Sequence, residues 1–170
     1  MPIWFPIAAG GATAIASLVL AFALAAAAPN NPRVASAAVL LGRALISAVF
    51  LVSGVSKVMA VSWTMDYIAA VGLPFAPLGL AIGIAVELFV APALLLGYRT
   101  RLAAAVLVAY CVATAMFFHR HVGDLDQQMN FLKNFAIAGG LLQIIAYGAG
   151  SFSLDVIWRK PLLNPEGMQP

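Results

Sequence analysis

The sequence predicts an all-α fold, a polytopic bundle of membrane helices. Composition is the first observation. Of 170 residues, 64% are hydrophobic and only 9% are charged, against about 25% charged in a soluble domain. Mean hydropathy is +1.01. The second is arrangement: five apolar stretches, each long enough to cross a bilayer, alternate with segments rich in Pro, Gly and charge. The third is the placement of Arg43 and Lys57, near the two ends of one apolar stretch. At 100° per residue their spacing falls within about 40° of whole turns, so both lie on one helical face with Ser47, Phe50 and Gly54 on or near it. Charges rarely point at lipid, so this face looks inward.

The same composition excludes other classes. A net charge of +3 with no Arg-rich run and no aromatic–basic interleaving gives no nucleic-acid partner; in a membrane protein it reflects topology. The single cysteine, Cys111, allows no intramolecular disulfide and no dithiol pair, and its apolar surroundings suit a small core residue better than a nucleophile. The partner that is certain from sequence is the lipid bilayer.

Residues 4–28 form the first stretch. It is dense in alanine, has no ionisable side chain and lacks the basic start of a secretory signal, so it reads as an uncleaved transmembrane helix. Gly10, Ala12, Ala14 and Ala16 suit close approach of another helix. Pro29-Asn30-Asn31-Pro32-Arg33 breaks it, and residues 1–35 make an N-terminal unit. The second helix is expected over 36–59. Residues 60–75 read as a connection along the interface, with Trp63, Asp66, Tyr67 and the turn Gly72-Leu73-Pro74. The third helix is expected over 76–97, with Glu87 near its middle and a kink at Pro92. Tyr98-Arg99-Thr100-Arg101 turns into a fourth over 101–118. His119 to Asp126 is the most polar loop, and a fifth helix over 130–149 ends at Gly148 and Gly150. The chain from Ser151 is polar enough to leave the bilayer, and 156–170 reads as a polar tail beyond a core of 36–155.

Arg33, Arg99, Arg101, Arg159 and Lys160 fall at one end of this bundle, and Arg120 at the other with Lys57 and Lys133. The positive-inside rule then puts the N-terminus outside and the C-terminus in the cytoplasm. Lys57, His119, His121, Lys133 and Asn134 lie toward the outer leaflet, with Glu87 deeper and Arg43 on the inner side. A carboxylate in hydrocarbon stays protonated or finds a cation. Two readings stay open. The charges line an outward-facing pocket floored by Glu87 and rimmed by Lys57, His119 and Lys133, or they are internal ion pairs that fix helix register. Tyr110 and Phe117-Phe118 read as packing. His119 and His121 with Asp124 and Asp126 are a weak metal pattern on a loop, and no metal is assigned.

Several of these residues resemble the DoxX family of bacterial and archaeal membrane proteins. They are Gly42-Arg43, Ser53-Gly54, Lys57, Gly72-Leu73-Pro74, Glu87, Gly97 with Thr100-Arg101, Phe118-His119, and Phe131-Leu132-Lys133-Asn134 ahead of Gly139-Gly140-Leu141-Leu142. The resemblance covers about residues 36–155 and implies a four-helix core, with the first helix an addition. It implies location in a bacterial or archaeal plasma membrane and a redox association, since the family is linked to quinone-coupled sulfur oxidation and to oxidative-stress and thiol metabolism. By position it marks Arg43, Lys57, Glu87, Arg101, His119, Lys133 and Asn134 as the family-like polar sites.

Three functions are then in view. The first is a subunit of a quinone-linked or oxidative-stress redox system. Glu87 and His119 are its candidate catalytic groups, and Arg43, Lys57, Arg101, Lys133 and Asn134 its candidate cofactor-binding groups. No haem, flavin or iron–sulfur motif is visible, so quinone is the cofactor this reading allows, and other membrane subunits or self-association supply the rest. Whether the chain is itself an enzyme stays open, because it has no self-contained catalytic motif. The second function is a non-catalytic accessory or assembly subunit, docking through the charge-free first helix. The third is a small-molecule or ion transporter, which the short chain and lack of an inverted repeat disfavour.

Overall fold

A computed structural model describes residues 31–120 and 123–159, with the isolated positions 19, 23 and 26. The described residues form helices and no strand. Apart from those three positions, the helix expected over 4–28 lies outside the described residues, as do His121 and the chain after Arg159.

Helix α1 runs from Pro32 to Met59. It starts earlier than expected because Asn31 caps it, accepting the Arg33 N–H at 3.0 Å, and Pro32 sits in the first turn, where a missing N–H costs nothing. Ala60 alone separates α1 from α2, Val61–Ala70. The expected connection is therefore largely helix, and it ends at Gly72 with φ of 83°. Helix α3 spans Ala76–Leu96. Its expected disturbance is there, but one turn above Pro92, as a π turn over Val86–Val90. Pro92 has no N–H for the Leu88 carbonyl and its ring crowds that oxygen. The wider turn, with Ala91 N–H reaching Val86 O, accommodates both and carries Glu87.

Gly97, with φ of 72°, ends α3 in a left-handed conformation that glycine adopts without strain. Helix α4 is Thr100–Phe118 and α5 is Leu125–Tyr147, capped by Asp124 through the Asp126 N–H at 2.9 Å. These two pack along their length. A short helix, α6, covers Leu154–Arg159.

Helices α1, α3, α4 and α5 are each long and apolar enough to cross a membrane. Their facing sides are mostly small or aliphatic: Ala91, Leu94, Ala104, Leu107, Cys111, Ala138 and Leu141 are buried, while Val52, Val55, Leu102 and Leu142 point outward to lipid. At the α1–α3 crossing, a Cβ on Gly54 would lie 2.7 Å from Leu88 Cδ2 and 2.9 Å from Glu87 Cβ. The missing side chain lets α1 lie directly against the π turn.

The residues after α5 fold back onto one end of the bundle. Asp155 N–H donates to Gly97 O at 2.9 Å. The Asp155 carboxylate accepts from Arg99 N–H at 2.8 Å, Thr100 N–H at 2.9 Å and the Thr100 hydroxyl at 2.6 Å. It thereby caps α4 from a distant part of the chain. Ser36 and Ser151 share a hydroxyl–hydroxyl bond that ties the same segment to α1.

Candidate functional site

A cavity of about 400 Å³ opens among α1, α2, α3, α4 and α5. Most of its lining surface is apolar, and polar side chains from each of these helices reach it, as small-molecule sites combine an apolar wall with convergent polar groups. Glu87 is brought to its wall by the π turn, and Lys57 comes from the last turn of α1. Lys57 Nζ lies 2.8 Å from both Glu87 oxygens. The side chains are 24% and 4% exposed respectively, so the pair is largely removed from water. Its Coulomb attraction is correspondingly less screened.

Two further donors complete the cluster. Ser53, one turn before Lys57, accepts from Nζ at 2.6 Å and donates to Glu87 Oε1 at 3.0 Å. Tyr110 on α4 donates to the same oxygen at 2.9 Å. The carboxylate thus accepts from an ammonium and two hydroxyls, strong bonds that fix its position on the cavity wall. Tyr110 is more than the packing residue the sequence suggested. A phenol in an apolar helix needs a partner for its hydroxyl, and that was the available signal. Ser53 was legible from its i, i+4 spacing to Lys57.

His119, Lys133 and Asn134 line the same cavity, with Asn130. Lys133 Nζ bonds Asn130 Oδ1 at 3.3 Å, Asn134 Nδ2 bonds Asn130 O at 2.9 Å, and His119 Nδ1 pairs with Gln127 Oε1 at 2.8 Å. Among the described residues, Lys133 has no carboxylate partner. An aromatic row closes one side: Trp63 stacks on Tyr67 at 5.6 Å and Tyr67 on Phe118 at 5.7 Å, joining α2 to α4.

The other two predicted site residues lie elsewhere. Arg43 is fully buried at the end of the bundle where the C-terminal segment folds back. It donates to Leu94 O at 3.4 Å and to Phe152 O, joining the end of α3 to that segment. Arg101 is exposed and lines a second cavity of about 530 Å³ with Arg99, Tyr147 and Asp155. The structure therefore gathers Lys57, Glu87, His119, Lys133 and Asn134 around one space and puts Arg43 and Arg101 outside it.

Known proteins resemble the chain over these residues. A family model described as DoxX matches residues 38–120, from α1 to just past His119. The chain is 32% identical over 121 residues to the inner membrane protein YphA of Escherichia coli (strain K12), covering 68% of this chain and 86% of that protein. It is 31% identical over 122 residues to the inner membrane protein YqjF of the same organism, covering 72% and 92%. No solved structure matches the chain significantly.

Proposed function

The chain belongs to the DoxX family and is a multi-pass membrane protein, and from that premise we propose that it is a subunit of a quinone-linked redox system in the plasma membrane. The observation that carries this reading is the Glu87 carboxylate, bonded to Lys57, Ser53 and Tyr110 on the wall of an aromatic-sided cavity. The cavity's size and lining fit a quinone head group: apolar and aromatic surfaces for the ring, and polar groups for its two oxygens.

A bound quinone supplies two-electron, two-proton chemistry. The chain's own residues orient the ring and handle protons. Glu87 would take a proton from a quinol hydroxyl, or return one to a quinone oxygen as it is reduced. Lys57 and Tyr110 keep the carboxylate in place before and after, and limit the cost of its charge in the bilayer. His119, at the cavity and tied to Gln127, relays protons toward water. Lys133 and Asn134 hold the outer oxygen. Arg43 and Arg101 act away from the ligand, in closing the opposite end of the bundle and in topology. A partner redox subunit would supply or accept the electrons. In the membrane, the end bearing Arg33, Arg99 and Arg101 faces the cytoplasm and the cavity faces the outer leaflet, as the positive-inside rule directs.

The test is quinone co-purification from mild detergent extracts, with thermal unfolding at increasing concentrations of a short-chain quinone and, separately, of its quinol. Binding at a hundredfold excess over Kd raises Tm by about 5–10 °C, and Glu87→Gln reduces the rise. Absence of quinone in the extract together with no shift of Tm refutes the reading. A stoichiometric membrane partner whose activity survives Glu87→Gln would instead make this chain an accessory subunit.

A further inference from the structure

The hydrogen-bond inventory of the Glu87 cluster is uneven. Lys57 has three protons, and all three have acceptors: Glu87 Oε1 and Oε2 at 2.8 Å and Ser53 Oγ at 2.6 Å. The single protons of Ser53 and Tyr110 both go to Glu87 Oε1, at 3.0 and 2.9 Å. The protons of Lys57, Ser53 and Tyr110 are all spent, and Thr114, which also lines the cavity, bonds the Tyr110 hydroxyl. Oε1 accepts three bonds and Oε2 accepts one, so the open capacity beside the cavity is an acceptor, chiefly on Oε2. The rim has the opposite character. Lys133 gives one proton to Asn130, and Asn134 gives one to a backbone carbonyl. Among the described residues the other protons of both groups make no further hydrogen bond and are open to a ligand.

We propose that the cavity selects ligands that bring an O–H or N–H donor to Glu87 Oε2 and an acceptor oxygen to Lys133, so that among membrane quinones it takes the reduced quinol in preference to the oxidised quinone. This rests on reading the cavity as a quinone site and adds the redox state it recognises. A quinone carbonyl carries only lone pairs, and facing a carboxylate it gains no bond and is repelled. A quinol hydroxyl makes a charge-assisted bond there, while its second oxygen accepts from Lys133. A site built to pair a polar group discriminates strongly against the analogue that leaves it unpaired.

The experiment is equilibrium dialysis of the full chain in lipid nanodiscs, without oxygen, against a decyl-chain benzoquinol and the matching benzoquinone. Quinol binding tighter by about tenfold or more is expected. In Glu87→Gln, where an amide N–H can meet a carbonyl, the ratio falls toward one. In Tyr110→Phe, which removes a donor from Oε1 and leaves the carboxylate, the ratio is kept or rises. Equal affinities, or tighter quinone, in the wild-type chain overturn the selectivity while leaving a quinone site. An unchanged ratio in Glu87→Gln, or a ratio of one in Tyr110→Phe, also overturns it. If neither form binds, the quinone reading falls and this inference falls with it.

Discussion

Lys57 Nζ is equidistant, at 2.8 Å, from the two carboxylate oxygens of Glu87, and the two residues come from different membrane-spanning helices, α1 and α3. The pair therefore ties together two of the helices that enclose the cavity. Its strength has an asymmetry that mutation can read. Glu87 is the more deeply buried partner, so stranding it is worse than stranding Lys57.

Lys57→Met is expected to destabilise by about 3 kcal/mol, the low end of the range for breaking a buried pair because Lys57 keeps some exposure. Glu87→Gln costs less, since the amide still accepts from Ser53 and Tyr110. The double variant costs less than the sum. A double-mutant cycle by chemical denaturation in detergent measures this, and strict additivity would show that the pair contributes nothing.

Gly54→Ala should cost about 1–3 kcal/mol. The added Cβ meets Leu88 and the Glu87 Cβ at distances no packed carbon tolerates, so α3 must move and carry Glu87 with it. The check is a lower Tm together with weaker ligand binding. Gly139→Ala is the control, because a Cβ there meets nothing within 4 Å.

Removing the Asp155 carboxylate leaves the first N–H groups of α4 without their partner. Asp155→Ala is expected to cost about 1–2 kcal/mol, as loss of an N-cap does. It should also loosen the segment from Ser151 onward, which limited proteolysis would show as faster cleavage there. Unchanged Tm and cleavage would mean that water serves these amides equally well.

Cys111 is wholly buried between the helices. A thiol-reactive maleimide should leave it unmodified in the folded protein and modify it fully after unfolding in denaturing detergent. Rapid labelling of the native chain would contradict the packing of α4.

Much of this arrangement was legible in the chain. Polar and ionisable groups in or beside apolar helices are costly enough that Lys57, Glu87, His119, Lys133 and Asn134 stood out by their company alone, and the structure brings all five to one space. Arg43 stood out equally, and the family resemblance added Arg101. Nothing in spacing told that one would bond backbone carbonyls at the opposite end and the other would stay exposed. The π turn depends on where Pro92 lets its strain relax, which is a property of the packed helix. Helix α2 escaped notice because its aromatic residues suit an interfacial loop as well as a short helix. The cap that Asp155 provides is a contact between distant segments, and no local pattern signals it.

That cap also has a consequence for biosynthesis. Asp155 follows Thr100 by 55 residues, so the start of α4 is synthesised before the carboxylate that caps it. During that interval its leading amides rely on lipid head groups or water. The bundle is sealed at that end only when the chain doubles back after α5, so a chain cut short at Tyr147 would keep the described spans α1, α3, α4 and α5 with that end open.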